Sequence, residues 1–266
     1  MGEAKIRGKL SARLLSKHSW CCFCGGSEPS ATVDHQPAKI IFTNKRRPAG
    51  LEFPACERCN ALTRVDETIL AFISRMAGSP REHAVLDRHL RRTAGRIENA
   101  FPGLVQRMYR GHVWHERRGL LAPHGVLNPN HQEIHRALCR VSAKLALAEY
   151  FQSTGSAAPL GTHIKTLWVH HSDRRIGETV DFILSHVPEA RSLSAGRWNA
   201  DQDFFMRVGK LDGHQFTAAF FHESVMLAAQ LFADEVEPAG QNWMKVFALR
   251  LDAGLVEVSP AIEPAP

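Results

Sequence analysis

Two Cys-x-x-Cys pairs, Cys21 with Cys24 and Cys56 with Cys59, bracket an Asp34-His35 dipeptide and are followed directly by Asn60. Two residues between cysteines let both sulfurs of a knuckle reach one ion, so the four thiolates can close a tetrahedral zinc shell. Cys22 competes with Cys21 for the first position. The Cys-x-Cys spacing it would make with Cys24 is tighter and rarer, which favours Cys21. The 31 residues between Cys24 and Cys56 exceed a short zinc-ribbon interval, so the enclosed peptide must be a small structure of its own.

What that peptide encloses suits phosphodiester hydrolysis. Such a reaction needs a deprotonated water in line with the leaving oxygen and a cation to neutralise charge on the phosphate. The Asp34 carboxylate and the Asn60 side-chain carbonyl are oxygen donors of the kind Mg²⁺ takes. An imidazole titrates near neutral pH, so His35 can accept a proton from water as general base. Taken singly, Asp34 reads as a turn cap and Asn60 as a helix N-cap. Their conjunction with His35 inside one zinc frame favours the hydrolytic reading. Adjacent residues of a strand face opposite ways, so Asp34 and His35 serve one site only if the strand ends or bends there; Pro37 fits such an end.

The elements that must position these groups are short. Ala31-Thr32-Val33 and Leu51-Glu52-Phe53 read as two strands joined by a basic loop, Lys45-Arg46-Arg47 followed by Pro48-Ala49-Gly50. From Asn60 the apolar residues Leu62, Val65, Ile69, Phe72, Ile73 and Met76 recur at helical spacing until Gly78-Ser79-Pro80. The expectation is strand, loop, strand, helix, with zinc pinning the strand ends.

Segment 20–64 resembles the His-Me finger (HNH) endonucleases, and within them the zinc-stapled branch of the phage endonuclease VII type. The resemblance rests on Cys21-Cys22-Phe23-Cys24-Gly25, Val33-Asp34-His35-Gln36-Pro37 and Cys56-Glu57-Arg58-Cys59-Asn60. It implies a ββα unit with His35 as general base and Asp34 and Asn60 as ligands of a catalytic Mg²⁺ or another divalent cation. The zinc on Cys21, Cys24, Cys56 and Cys59 would be structural, and the cleaved ends 5′-phosphate and 3′-hydroxyl. Two departures stand out. No histidine follows three or four residues into the helix, which implies a two-ligand metal site, and Leu51-Glu52-Phe53 replaces the asparagine usual shortly before the third cysteine.

Charge points the same way. Residues 1–120 hold 21 Lys+Arg against 11 Asp+Glu, net +10, while the remainder is net −4. A basic portion beside the zinc site suits a polyanion, bound with release of counterions. Lys39, Lys45, Arg46 and Arg47 are candidates for backbone contacts, and Arg64, four residues after Asn60, would share its helix face. A second helix expected over residues 81–99 puts Arg88, Arg91, Arg92 and Arg96 on one face, with Arg88 and Arg92 as further nucleic-acid contacts. DNA is preferred over RNA as the substrate.

After a Gly/Pro-marked region from Phe101 to Pro129, Ile134, Leu138, Val141, Leu145 and Ala148 mark a third helix. Ser153 to Gly161 reads as a linker. Beyond it, Phe204–Val208 and Gln215–Phe221 form a hairpin about Asp212-Gly213, and residues 245–251 with 255–258 form another. Segment 176–184 reads as a helix, and 224–232 as either helix or strand. The fold class is therefore α+β: a zinc-stapled ββα module in residues 1–80, a helical region in 81–152, a small α+β domain in 162–259 and a frayed tail in 260–266. This C-terminal domain is a candidate for a protein or ligand partner.

The N-terminus has no apolar stretch of signal-peptide length and no segment suits a bilayer span, so the expected location is the cytoplasm, where the thiols stay reduced. Cys139 sits at an apolar helical position and reads as a small buried hydrophobe. His112 with His115, His131 with His135, and His170-His171 lack an acidic or thiolate partner at a ligating interval and read as surface histidines. The leading expectation is a metal-dependent HNH endonuclease. The competing one is a non-catalytic zinc-stapled adaptor for nucleic acid or protein.

Overall fold

A computed structural model describes residues 3–42, 47–76, 83–117, 120–128, 131–171, 176–187, 189–195, 198–232, 248–250 and 257–259. Lys45, Arg46, the Gly78-Ser79-Pro80 stop, the tail from Pro260 and most of the last expected hairpin's inner residues lie outside them.

Helix α1 (Glu3–Lys17), which the sequence reading did not anticipate, packs against the first hairpin. That hairpin is β1 (Thr32–His35) paired antiparallel with β2 (Glu52–Ala55), in register His35 with Glu52 and Thr32 with Ala55. A short 3₁₀ turn, Lys39–Ile41, lies between them. The helix expected from Asn60 is two helices, α2 (Glu57–Leu62) and α3 (Arg64–Met76), broken at Thr63. The N-cap of α2 is Cys56, whose sulfur accepts the Cys59 N–H at 3.4 Å, so Asn60 lies inside the helix and does not cap it.

Helix α4 (His83–Ala100) packs on α3 and is followed by α5 (Leu104–Met108). The Gly/Pro-marked region then forms a two-stranded ribbon, β3 (Tyr109–Arg117) with β4 (Leu120–Leu127). Helix α6 (Gln132–Thr154) ends at Gly155, whose φ of 75° suits glycine and whose N–H bonds the Phe151 carbonyl.

The C-terminal region is a seven-stranded sheet in the order β13-β12-β5-β11-β10-β9-β6. Its strands are β5 (His163–His170), β6 (Glu189–Ser192), β9 (Phe204–Leu211), β10 (His214–Phe221), β11 (Val225–Phe232), β12 (Ala248–Arg250) and β13 (Glu257–Ser259). Helix α7 (Ile176–His186) precedes β6, and a small hairpin of β7 (Ser194–Ala195) with β8 (Trp198–Asn199) follows it. Asp212 and Gly213 both take positive φ, 51° and 82°, as the tight turn between β9 and β10 requires. The ambiguous segment 224–232 is the central strand β11, buried along its whole length.

Helix α6 packs against elements on both sides of it in the chain. One face meets α3 and another meets β5, β10 and β11. A single apolar cluster therefore runs from Cys21 and Phe53 through Leu138 and Leu145 to Phe221 and Leu231. The expected linker takes part in this packing, because Ala158 is fully buried in the cluster. A second cluster, including Val169, Ile183 and Phe216, fills the far face of the sheet beneath α7. Across the junction the Arg75 guanidinium lies 3.8 Å from Asp203, and His222 Nε2 lies 2.8 Å from the Ile41 carbonyl.

Candidate functional site: a thiol cluster and a buried lysine

The Sγ atoms of Cys21, Cys24, Cys56 and Cys59 all lie within 4.8 Å of one another, and all four residues are buried. The two knuckles come from the turn before β1 and from the start of α2, which the β1–β2 ladder carries into register. Thiols this close cannot all ionise without a cation. The Cys24 thiol is drawn down to about 2 by hydrogen bonding with Cys21 and then Cys59, and Cys21 is pushed up to about 12, chiefly by its bond to Cys24. This donor set can hold a metal such as zinc. Cys22 is not in the cluster. Its buried thiol is raised well above the usual cysteine range, first by desolvation and then by Cys21 and Asp34.

Of the three residues expected to converge, Asp34 and His35 are consecutive on β1 and Asn60 lies in α2. Asp34 is buried, and its Oδ2 lies 2.5 Å from the Nζ of Lys144, a residue of α6 with no exposed side-chain surface. The ammonium also bonds Thr63 Oγ1 at 2.5 Å and Glu67 Oε1 at 3.3 Å, and faces the Phe23 ring at 5.2 Å. The other Asp34 oxygen accepts from the Gln36 side chain at 3.1 Å. His35 points to the opposite side of β1, half-buried, with Nε2 3.7 Å from Glu52 directly across the ladder. Asn60 Nδ2 donates to Thr32 Oγ1 at 3.0 Å. Asn60 and Asp34 thus adjoin one face of β1, because Thr32 and Asp34 are two residues apart, and His35 does not.

Lys144 governs the electrostatics of this interior. Burial works against its charge, but Asp34 and then Glu67 outweigh burial and hold its ammonium above the usual lysine value. The Glu67 carboxyl is raised, chiefly by burial. A neighbouring pair, Arg140 with Asp66, makes two hydrogen bonds of 2.7 and 2.6 Å. These residues do not fit a catalytic Mg²⁺ as expected. The carboxylate that would hold the ion already has a buried ammonium against it, and a second cation there would meet that charge at close range in a poorly solvated interior. A nearby pocket is walled by Gln36, Leu51, Phe53 and Glu149, and by none of the three expected catalytic side chains.

The basic residues divide. Lys39, Arg64, Arg88 and Arg92 are exposed. Arg47 corrects the expectation of a nucleic-acid contact, because it is buried and its guanidinium faces inward. It donates to the carbonyls of Pro37 and Pro48, both at 2.7 Å, and of Gln36, Gly50 and Leu51. Burial lowers it to about 10 against the pull of Glu52 and Asp34. It ties together the loop between β1 and β2, where Leu51 takes a φ of 50°.

Lys144, Thr63 and Glu67 were missed from sequence, although a signal exists. Ala137, Val141, Lys144 and Ala148 follow the four-three-four spacing of one helix face, so a lysine stands on an otherwise apolar stripe. No family model, curated protein or solved structure matches this chain. Among the described residues no helix is long and apolar enough to cross a membrane.

Proposed function

We propose that this chain binds nucleic acid through a zinc-stapled ββα unit of the HNH kind and does not hydrolyse it. One observation carries the reading: the Lys144 ammonium sits against Asp34, where the HNH resemblance puts the catalytic cation. A buried lysine supplies positive charge without Lewis acidity and without a bound water to activate. His35 meanwhile faces Glu52 on the other side of the strand. What remains is a folded scaffold with exposed cations, Lys39, Arg64, Arg88 and Arg92, in the half of the chain that is net +10. Such charges position a phosphate backbone without reading its sequence.

The second reading is the metal-dependent endonuclease, with His35 as general base and Asp34 and Asn60 as ligands. It is favoured by the half-buried His35–Glu52 pair, since a carboxylate beside an imidazole orients it and supports its protonation. That reading requires Asp34 to leave Lys144.

One experiment separates them. Supercoiled plasmid is incubated with the full chain, with and without Mg²⁺ or Mn²⁺, while binding to the same DNA is followed by gel shift. The expected result is retarded but uncut plasmid under every condition. Nicking that needs the divalent cation and vanishes in His35→Ala would overturn the proposal in favour of the endonuclease. Failure to retard the plasmid under any condition would remove the DNA-binding reading itself.

A further inference from the structure

Among the described residues, the strands of the β3–β4 ribbon pair in sheet only with each other, from Tyr109 opposite Leu127 to Arg117 opposite Leu120. Its base is firmly mounted. The Glu98 carboxylate of α4 accepts the Gly103 and Val105 N–H groups at 2.6 and 2.7 Å, which fixes α5 to α4. Leu104 and Met108 are buried, and the Asn128 N–H closes the ribbon on the Met108 carbonyl at 2.7 Å. Beyond that base Tyr109 is 51% and Trp114 63% exposed.

Composition along this arm is one-sided. Residues 109–127 contain Arg110, Arg117, Arg118 and three histidines against a single acid, Glu116. Arg110 is exposed, and Arg117 ends β3 beside the tip. The charge continues off the ribbon, because Arg107 on α5 and Arg88, Arg92 and Arg96 on α4 are exposed as well. The ribbon and the helices that lead to it thus carry exposed arginines, Arg88, Arg92, Arg96, Arg107 and Arg110 among them.

Resting on the nucleic-acid reading above, we propose that the ribbon enters the major groove of duplex DNA while α4 contacts the flanking phosphates. Size selects this partner. A two-stranded ribbon fits the B-form major groove, about 12 Å wide, whereas the A-form RNA major groove is deep and too narrow for side chains to read. Eight steps at about 3.4 Å give the arm a reach of about 27 Å, comparable to most of one helical turn of DNA. Arg110, exposed at its base, would then meet a phosphate or a guanine edge, and Arg117 and Arg118 add charge to the same segment of sequence.

The test uses the full chain and a fluorescein-labelled 30-mer presented as duplex DNA, single-stranded DNA and duplex RNA. Fluorescence anisotropy is read from about 50 to 300 mM salt for wild type and for R110A/R117A/R118A, with zinc content and circular dichroism confirming the fold. The triple variant is expected to bind duplex DNA at least about tenfold more weakly and to lose about two to three units of salt slope, at about 0.9 per phosphate contact. In wild type, bound duplex DNA should also slow tryptic cleavage after Arg117 and Arg118, mapped by mass spectrometry, and this readout needs no variant to fold. Unchanged affinity in the triple variant, with binding instead weakened in R88A/R92A, would overturn the ribbon proposal and leave the nucleic-acid reading standing. Equal dependence on the ribbon with duplex RNA would overturn the assignment to DNA. Absence of binding by wild type to all three probes would mean that the underlying reading has failed.

Discussion

Around Phe23 and Phe53 the interior sets five buried cysteines, an ammonium, two carboxylates and a buried guanidinium among its apolar side chains. The seven-stranded sheet is covered on both faces by Phe, Leu, Val, Ala and Met. A short hairpin with small helices cannot enclose enough apolar surface to stand alone, so directional bonds replace area. The sheet has area to spare, and its strands are specified by burial instead. The first region should therefore fail sharply when one polar partner is removed. The second should fail in proportion to the volume deleted.

The largest expected effect is at the thiol cluster. Cys59→Ser should lose the bound metal and unfold the hairpin with its two helices, because metal binding and folding are coupled in such units. Hydrogen exchange would read this as lost protection over β1, β2 and α2 with protection kept in β9 to β11. A metal-loaded, protected Cys59→Ser protein would erase the contrast between the regions.

Next comes the buried cation. Lys144→Met leaves Asp34 and Glu67 facing each other unpaired and should cost about 3–5 kcal/mol in urea unfolding. Adding Asp34→Asn and Glu67→Gln to that variant should recover most of the loss, since the penalty belongs to the uncompensated charge. A loss that persists in the triple variant would assign Lys144 to packing alone.

In the sheet, Phe216→Ala should cost about 3–4 kcal/mol by transfer and cavity terms together, with metal content unchanged. Loss of metal in that variant would show that the regions are coupled more tightly than their chemistry suggests.

The smallest effect lies where the regions meet. Burial raises Glu149 to about 7, opposed by Arg191, which approaches it at 3.0 Å. A carboxyl raised in the folded state binds its proton more tightly there than in the unfolded chain. Its contribution is complete below about pH 4.5 and fades as pH rises to about 7. Glu149→Gln should flatten stability across that window by about 1–3 kcal/mol relative to wild type. An identical pH profile in the two proteins would place the slope elsewhere.

Legibility followed the same division. The thiol pairs, the β1–β2 strands, the Asp212-Gly213 turn and the helix containing Ile134 to Ala148 were all readable, because spacing and periodicity are local properties. The break at Thr63 was not, since Leu62 and Val65 continue one apolar stripe across it. Arg47 was misread because a guanidinium beside Lys45 and Arg46 looks like a phosphate contact until the loop carbonyls close round it. Ser153 to Gly161 read as a linker by composition, although Ala158 is buried.

Sequence alone fixed which side chains could bind a metal and set the charge of each half, because both depend on residue identity and short spacing. Tertiary structure decided what Asp34 does. Its partner is 110 positions away on α6, and only the packing of that helix against β1 and α3 brings an ammonium to the carboxylate. Electrostatic energy depends on distance and burial, and neither is a property of the chain until it folds.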